Sequence, residues 1–414
     1  MKMTQVQLDQ IKAQIKRVKA CGNPFYTERF KNVNPDDIKT QQDFENLVPF
    51  CSKQDLRDAY PLGLSSVPQE EIVRIHSSSG TTGAPVIIPY TKKDVEDWAT
   101  MFARSYELAG ITNKDRIQIT PGYGLWTAGI GFQAGCEKLG AMAIPMGPGN
   151  TEKQLQMMQD LEATVICATS SYALLLAEQV EKRDLGKNIK LKKGVIGSER
   201  WGEKMRNRIQ KILGIELYDI YGLTECYGPG IGINCTEQTE GIHIYDDYLY
   251  IEILDPETGK PVPDGQIGEI TLTTLVKEGA PLFRFRTHDL AAFIPEPCKC
   301  GRSYPRITPI LGRSDDMVKI KGNIIFPSTI EEVIKTVPGT SSEYRALIEH
   351  VEGKDQITIT VEVEGGTDRS EVALELAYNF KQKYNFTPIV KVVGEGELPR
   401  SEKKTKRIED TRFN

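Results

Sequence analysis

The chain has 414 residues, of which 39% are hydrophobic and 26% are charged, a composition typical of folded proteins in water. Its length exceeds what one hydrophobic core usually supports, so at least two domains are expected. A net charge of −5 without an extended basic stretch argues against a nucleic-acid partner. No apolar run reaches the roughly 18 residues that span a bilayer, and the N-terminus lacks a signal-peptide core. A cytoplasmic protein is predicted, with its eight cysteines outside any disulfide framework.

A large α/β domain is predicted for residues 1–312. It opens with a helix, because Leu8, Ile11 and Ile15 recur at helical spacing after a possible Thr4 cap. Strand and helix patterns then alternate, which favours mostly parallel sheets connected by helices. The expected elements are strands at 164–168, 194–196, 215–218, 249–254, 267–274 and 289–294, and helices at 171–183 and 202–213.

A small α+β domain is predicted for residues 313–414, joined to the first domain by a hinge. The pattern changes near residue 312, where helices and strands of a different spacing begin. The expected elements are helices at 327–336 and 369–384, and strands at 345–351, 356–363 and 389–393.

Residues 77–83 read Ser-Ser-Ser-Gly-Thr-Thr-Gly between two β-prone segments, 72–75 and 86–88. Glycines let the backbone turn tightly and bring amide N–H groups close to an anion, and hydroxyls donate to phosphate oxygens. The spacing is neither that of a Walker A loop nor that of a dinucleotide fingerprint. A polar hairpin turn is the alternative interpretation. The candidate phosphate ligands are Ser78, Ser79, Gly80, Thr81, Thr82 and Gly83.

Five further segments follow this loop in an order that resembles the adenylate-forming superfamily of acyl-CoA synthetases, peptide-synthetase adenylation domains and luciferases. They are Gly197-Ser198-Glu199, Tyr221-Gly222-Leu223-Thr224-Glu225, Thr287-His288-Asp289, Gly312-Arg313-Ser314-Asp315-Asp316 and Pro399-Arg400-Ser401-Glu402-Lys403-Lys404. Within that superfamily, PGYGLWTAG, GIHIYDDYLYIEILDPETG, GRSDDMVKIKGNIIFPSTIEEV and LPRSEKKTKRIED resemble the phenylacetate–CoA ligase family. The resemblance implies a two-domain enzyme that uses ATP, Mg²⁺ and coenzyme A.

The resemblance also implies nucleotide ligands. Glu225 is expected to bind Mg²⁺, and Thr224 to contact the α-phosphate. Asp289 is expected to accept hydrogen bonds from both ribose hydroxyls, and Arg313 to pair with phosphate. The alternative for Glu225 is a helix-capping or surface glutamate, and the alternative for Asp289 is a turn residue. The expected adenine pocket comprises Ser198, Glu199, Tyr221 and Gly222, although Tyr221 could equally be an ordinary strand-end tyrosine.

Lys404 is the predicted catalytic lysine, which would bridge carboxylate and phosphate oxygens as charge develops. The alternative is that Lys404 belongs to a solvated basic run. By resemblance, the small domain rotates about Asp315 after adenylation, and Gly322 then lines the pantetheine path. One departure concerns Ala84, which stands where many relatives of the superfamily have a lysine near the β/γ-phosphates.

An acyl pocket is predicted from Tyr123, Gly124, Leu125 and Trp126, because small and aromatic residues side by side suit a flat apolar acid. The alternative is that these aromatic residues belong to the core. By resemblance, the best substrate is phenylacetate or a related aryl acid.

Cys298 and Cys300 form a close thiol pair, and Cys235 and His243 lie upstream on another loop-like stretch. Four such ligands would complete a tetrahedral structural zinc site that connects two loops. The spacing is unusual for zinc, so free cysteines beside an unrelated histidine are the alternative.

The sequence thus predicts an ATP-dependent carboxylic acid–CoA ligase, with a homodimer implied by the resemblance. One alternative is an adenylate-forming enzyme with another acceptor, such as a carrier protein or a deazaflavin coenzyme that receives the adenylyl group. A non-catalytic nucleotide-binding relative is the second alternative, suggested by Ala84. No nucleic-acid or membrane partner is expected.

Overall fold

A computed structural model describes most of the chain. The described residues are 2–78, 85–199, 201–237, 241–315, 318–320, 323–325, 327–351, 354–399 and 407–412. Seven predicted site residues therefore lie outside the described part, namely Ser79, Gly80, Thr81, Thr82, Gly83, Gly322 and Lys404.

Four α-helices open the described part of the chain and form the first part of the large domain. The first begins with a capping box, in which the Thr4 hydroxyl accepts a hydrogen bond from the Gln7 amide. The predicted Thr4 cap is therefore confirmed. The apolar face of this helix buries Ile11 and Ile15 in one cluster with Phe283. The helices are α1 (Gln5–Ala20), α2 (Pro24–Arg29), α3 (Gln41–Leu47) and α4 (Lys53–Asp58).

Strands and helices alternate in the next part of the chain. The elements are β1 (Arg74–Ser77), β2 (Ile87–Tyr90), α5 (Lys92–Leu108), β3 (Arg116–Ile119), α6 (Thr127–Leu139), β4 (Met142–Pro145), α7 (Thr151–Asp160), β5 (Val165–Thr169), α8 (Ser170–Lys182), β6 (Lys193–Gly197), α9 (Glu203–Leu213) and β7 (Glu216–Leu223). Strands β4-β3-β5-β6-β7 are neighbours in one sheet, and each of these pairs is parallel. Helices connect most of these strands, so the predicted α/β class is confirmed.

The remaining strands of the large domain pair antiparallel, so the expectation of mostly parallel sheets is wrong in this detail. They are β8 (Gly228–Ile233), β9 (Ile242–Ile244), β10 (Leu249–Leu254), β11 (Gly268–Thr274), β12 (Phe285–Ala291), β13 (Phe293–Ile294), β14 (Arg306–Ile307) and β15 (Gly312–Arg313). Strands β8, β9, β14 and β13 extend the main sheet beyond β7, and β10-β11-β12-β15 form a second sheet. The described residues contain no helix between β8 and β15. Parallel pairing needs a long crossover, whereas short connections favour antiparallel neighbours.

The C-terminal part has its own sheet and core, as the predicted α+β domain requires. Its elements are β16 (Val318–Ile320), β17 (Asn323–Ile325), α10 (Pro327–Lys335), β18 (Thr340–Val351), β19 (Lys354–Val363), α11 (Arg369–Tyr384), β20 (Ile389–Val393) and β21 (Ile408–Asp410). The sheet order is β20-β19-β18-β21, with an antiparallel central pair and parallel outer pairs. Phe380 and Leu376 of α11 pack with Tyr344 in a core cluster separate from that of the large domain.

None of the helices within the described ranges is long and apolar enough to cross a membrane.

Candidate active site and metal centre

The predicted phosphate loop connects the two strands of a hairpin. Strands β1 and β2 pair antiparallel, with Ser77 opposite Ile87. At the base of the loop, the Ser78 amide donates to the Val86 carbonyl, and the Ser78 hydroxyl accepts from the Val86 amide at 3.1 Å. Ser78 therefore closes the hairpin through both its backbone and its side chain. The other predicted phosphate ligands lie beyond the described residues.

Three predicted nucleotide ligands meet at the ends of β7, β12 and β15. The Tyr221 hydroxyl donates to one oxygen of Asp289 at 2.8 Å, and Arg313 Nη1 donates to the other at 3.0 Å. Strand pairing enforces this meeting, because Asp289 of β12 lies opposite Arg313 of β15. The guanidinium of Arg313 also binds both oxygens of the predicted hinge residue Asp315, each at 2.8 Å. Arg313 thus connects the predicted ribose ligand to the predicted hinge.

Glu225 is a buried carboxylate directly after β7, with an exposed fraction of 5%. Lys53 Nζ, in the first turn of α4, lies 3.1 Å from Glu225 Oε1. This geometry excludes the surface-glutamate alternative, because a buried carboxylate needs a counter-charge. The hydroxyl of the preceding Thr224 lies 3.2 Å from that of Thr127, at the start of α6. Neither Lys53 nor Thr127 is among the predicted site residues. Lys53 belongs to no local pattern, and Thr127 lies in the PGYGLWTAG segment but far from Thr224 along the chain.

Tyr221 and Gly222 fit their place in β7 for a steric reason. The pairing of β7 with β8 is irregular between these two residues. An added Cβ on Gly222 would lie 2.1 Å from the Gly228 carbonyl oxygen and 2.5 Å from Pro229 Cα. Only glycine therefore lets the two backbones approach here. Tyr221 is itself buried, and it lies one residue beyond the last β7 residue that pairs with β6.

Ser198 and Glu199 follow β6, next to the end of β7. Ser198 has a positive φ of 70°, which is uncommon for a residue with a side chain and marks a sharp turn. Glu199 Oε2 accepts hydrogen bonds from the Ser170 hydroxyl and the Ser171 amide, both at 2.9 Å. The carboxylate thus stabilises the start of α8, where unpaired amides favour a negative charge.

The predicted acyl-pocket segment lies beside the phosphate hairpin. The Leu125 carbonyl accepts from the Ser77 amide at 2.8 Å and lies 3.2 Å from Nδ1 of the buried His76. Burial lowers the pKa of His76 to about 4, so the ring is neutral and Nδ1 donates to this carbonyl. The side chains of Leu125 and Trp126 are 50% and 46% exposed, which excludes the core interpretation for both.

Tyr123 packs more deeply than its neighbours in this segment. An added Cβ on Gly129 would lie 2.6 Å from the Tyr123 ring, so Gly129 makes room for it. Gly124 has a φ of 82° and nothing within 4 Å of an added Cβ, so it provides a turn that faces open space. The segment therefore combines a packed ring with exposed apolar side chains next to Thr127 and Thr224.

A charged network centred on Glu269 includes His288, the residue that precedes Asp289 in the chain. Glu269 is fully buried and receives two hydrogen bonds from Arg286, at 2.9 Å each, and one from the Ser314 hydroxyl at 3.0 Å. Burial alone would raise the pKa of Glu269, but His288 and Arg286 outweigh it and hold this pKa at about 2. The same carboxylate raises the pKa of His288 above its usual value.

The predicted zinc ligands converge. The ligand atoms of Cys235, His243, Cys298 and Cys300 all lie within 4.8 Å of one another. Cys235 Sγ lies 3.6 Å from Cys298 Sγ, and Cys300 Sγ lies 3.6 Å from His243 Nε2. Edges of about 3.5–3.8 Å follow from tetrahedral zinc with its usual bond lengths to sulfur and nitrogen. Burial raises the pKa of the Cys235 thiol to about 12, so it needs a bound cation to become a thiolate.

Family models match both parts of the chain. The model described as AMP-binding enzyme matches residues 11–274, and the AMP-binding enzyme C-terminal domain matches residues 322–412. The chain is 41% identical to a phenylacetate-coenzyme A ligase of Escherichia coli over 94% of this chain and 90% of that protein. A phenylacetate-coenzyme A ligase of Thermus thermophilus is 37% identical, over 94% of this chain and 92% of its own length.

Solved structures of 2-hydroxyisobutyryl-CoA ligase share the whole fold. The postadenylation state in complex with R3-HIB-AMP matches with a TM-score of 0.90 and 26% identity, covering 98% of this chain and 89% of that one. The thioesterification state with 2-HIB-AMP and CoA covers the same shares with 27% identity, but with a TM-score of 0.72. With its two family-model matches and its relatives of about 40% identity, the chain belongs to the AMP-binding enzyme family and, within it, to the phenylacetate-coenzyme A ligases.

Proposed function

We propose that this protein is an ATP-dependent carboxylic acid–CoA ligase whose acid is phenylacetate or a related aryl acid. The observation that carries the proposal is the meeting of Tyr221, Asp289 and Arg313, with the buried Glu225 four residues after Tyr221 in the chain. A tyrosine ring suits adenine, and a carboxylate suits the ribose hydroxyls of ATP. A guanidinium suits the phosphates, and a buried acid suits the metal ion that accompanies them. The named relatives support coenzyme A as the acceptor.

In the first half-reaction, a carboxylate oxygen of the acid attacks the α-phosphorus of ATP, and pyrophosphate leaves. Asp289 accepts hydrogen bonds from the ribose hydroxyls, Tyr221 stacks on adenine, and Thr224 donates to the α-phosphate. Lys404 places its charge between the acid and the α-phosphate, where negative charge develops. In the second half-reaction, the CoA thiolate attacks the acyl carbonyl and AMP leaves.

Mg²⁺ fits the carboxylate of Glu225. This carboxylate is buried, its Oε1 atom has no hydrogen-bond partner among the described residues, and Lys53 is a neighbouring cation. Carboxylate and phosphate oxygens are the ligands that Mg²⁺ prefers. The ion neutralises phosphate charge when it is bound. Ala84 stands in the phosphate loop where many relatives of the superfamily have a lysine. Lys53 offers positive charge near the Glu225 carboxylate instead.

The two half-reactions require two arrangements of the domains, which we place at residues 1–312 and 313–414. The better match to the postadenylation state supports assigning the present arrangement to the adenylation side of the cycle. Rotation about Asp315 would break its contact with Arg313 and would bring Gly322 to the pantetheine path. We also propose a cytoplasmic location, where ATP and coenzyme A are available. We further propose that the protein is a homodimer.

An acid panel tests the substrate assignment. Purified enzyme with ATP and Mg²⁺ is mixed with phenylacetate, benzoate or a short aliphatic acid, and pyrophosphate release is measured. Phenylacetate or a close aryl relative should give the highest kcat/KM, because the exposed Leu125 and Trp126 offer an apolar surface. Preference for a short aliphatic acid would contradict the aryl assignment, and no release with any acid would contradict ligase activity.

Zinc in the four-ligand cluster is the second part of the proposal. Cys235 follows β8 and His243 lies within β9, whereas Cys298 and Cys300 lie between β13 and β14. A tetrahedral ion at this place would connect the two loops and leave no position open for a substrate, so its role is structural. His243 is buried, and burial lowers its pKa, which keeps the imidazole neutral and able to bind a metal.

Metal analysis tests the zinc site without reference to catalysis. Wild-type protein should contain about one zinc ion per chain, and Cys298→Ser should lose the ion because sulfur is removed from a four-ligand site. Cys21→Ser is the matched control, since Cys21 is exposed and outside the cluster. A chelator should lower the Tm of wild type and of the control but not that of Cys298→Ser. Wild-type protein that contains no zinc after expression in zinc-supplemented medium would refute the site.

A further inference from the structure

One lysine of the large domain binds the end of a helix in the small domain. Lys204 lies in the first turn of α9. Its Nζ donates to the carbonyl oxygens of Ile334 and Val337, each at 3.2 Å, and to that of Thr340 at 2.9 Å. It also contacts the Thr340 hydroxyl. Ile334 lies in the last turn of α10, Val337 lies two residues beyond the helix, and Thr340 is the first residue of β18. A single ammonium group therefore joins the two domains.

The chemistry of this contact is favourable and reversible. Carbonyl groups at a helix C-terminus lack partners within the helix and carry partial negative charge, which a cation stabilises. Hydrogen bonds from a charged donor are stronger than neutral ones. The Thr340 hydroxyl lies 2.8 Å from both the Ile334 and the Val337 carbonyl oxygen. It can therefore keep one of these carbonyls bonded when Lys204 leaves, and water can reach the others.

Other charged contacts across the same boundary are more exposed. Lys335 pairs with Glu203, and their side chains are 48% and 58% exposed. Arg208 pairs with Glu395, which is 47% exposed. Exposed ion pairs contribute little free energy because water screens them. Lys204 is half-buried and binds three carbonyls. Among the described residues, we therefore expect it to contribute more free energy to the domain contact than these exposed pairs do.

We propose that Lys204 is a positioning residue that holds the small domain in the adenylating arrangement. The inference rests on the proposed function, because it assigns this arrangement to the first half-reaction. The bonded groups belong to different domains, so a rotation that separates α10 from α9 breaks all three bonds together. Lys204 therefore favours adenylation and gives no support to thioester formation.

The two half-reactions of Lys204→Met provide the test. Methionine keeps an unbranched side chain but removes the donors. Phenylacetate-dependent ATP–pyrophosphate exchange should fall roughly ten- to hundred-fold, the range expected when charged hydrogen bonds are lost from one of two states. Thioester formation from prepared phenylacetyl-adenylate and CoA should stay within about twofold of wild type, since that arrangement does not use the contact.

Lys335→Met is the matched control, because it removes an exposed lysine from the same boundary; its exchange rate should change less than about twofold. Equal loss of both half-reactions in Lys204→Met would show a merely structural role and overturn the assignment. Unchanged ATP–pyrophosphate exchange would also overturn it.

Hydrogen–deuterium exchange gives a readout without activity: in Lys204→Met, the amides of residues 330–340 should exchange at least about fivefold faster. If wild type activates no acid, the proposed function fails, and this amide measurement still decides whether Lys204 holds the domains.

Discussion

At the scale of single residues, the charged network around Glu269 predicts how stability depends on pH. The pKa of Glu269 is depressed to about 2, so its contribution to stability is complete above the unfolded value and is lost as pH falls through 2. The pKa of His288 is raised by the Glu269 carboxylate. Its contribution is complete below the unfolded pKa of histidine and is lost as pH rises through the folded pKa. Of these two contributions to stability, only that of His288 should change above neutral pH.

His288→Asn isolates this contribution. His288 has a φ of 65°, a conformation that asparagine tolerates, so the substitution removes the titrating ring with little backbone strain. Between pH 6 and pH 9, the urea midpoint of wild type should fall more than that of His288→Asn, measured by circular dichroism. Parallel pH dependence of the two proteins would contradict the role of the Glu269–His288 pair.

Single residues also show what a sequence reveals about a site. Tyr221, Asp289 and Glu225 belong to short local patterns, and the structure brings Tyr221 into contact with Asp289 and buries Glu225. Lys53 has no such pattern, because its meeting with Glu225 depends on how the N-terminal helices fold back. A lone lysine in a short helix is indistinguishable, in sequence, from many solvated lysines.

At the scale of elements, the irregular pairing of β7 with β8 positions Thr224 and Glu225. Gly222 is the residue that permits it, since an added Cβ would collide with the backbone of Gly228 and Pro229. Gly222→Ala should lower the free energy of unfolding by about 2 kcal/mol, because backbone atoms cannot yield as a flexible side chain does. It should also reduce adenylation by displacing the residues that follow.

Gly186→Ala is the control for this substitution. No atom lies within 4 Å of an added Cβ at Gly186, so its stability should stay within about 0.5 kcal/mol of wild type. Denaturant unfolding of the two variants gives the comparison. Equal stability of both variants would contradict the steric account of the β7–β8 pairing.

Elements differ in how well their sequences predict them. The strand at 164–168 and the helix at 171–183 agree closely with β5 and α8, because apolar runs and helical periodicity are local signals. The predicted strand at 289–294 instead consists of parts of β12 and β13, which belong to different sheets. Pairing partners and strand direction depend on connections and on distant strands, so the antiparallel half of the main sheet could not be predicted from local patterns.

At the scale of the whole molecule, the α/β and α+β classes could be predicted from the change of pattern near residue 312. The contact between the domains could not, because Lys204 lies in an ordinary amphipathic helix whose sequence does not indicate an acceptor. The zinc ligands are intermediate in how clearly the sequence predicts them. Cys298 and Cys300 are an obvious pair, but only the folded chain brings Cys235 and His243 to them.

Whole-molecule function depends on both half-reactions in one protein. With phenylacetate, ATP and Mg²⁺, mass spectrometry should detect phenylacetyl-adenylate bound to the enzyme and little free AMP. Addition of CoA should release AMP and form phenylacetyl-CoA in equal amounts, because thiolate attack on the adenylate yields one of each. Adenylate formation without CoA-dependent AMP release would contradict the central claim and would indicate a different acceptor.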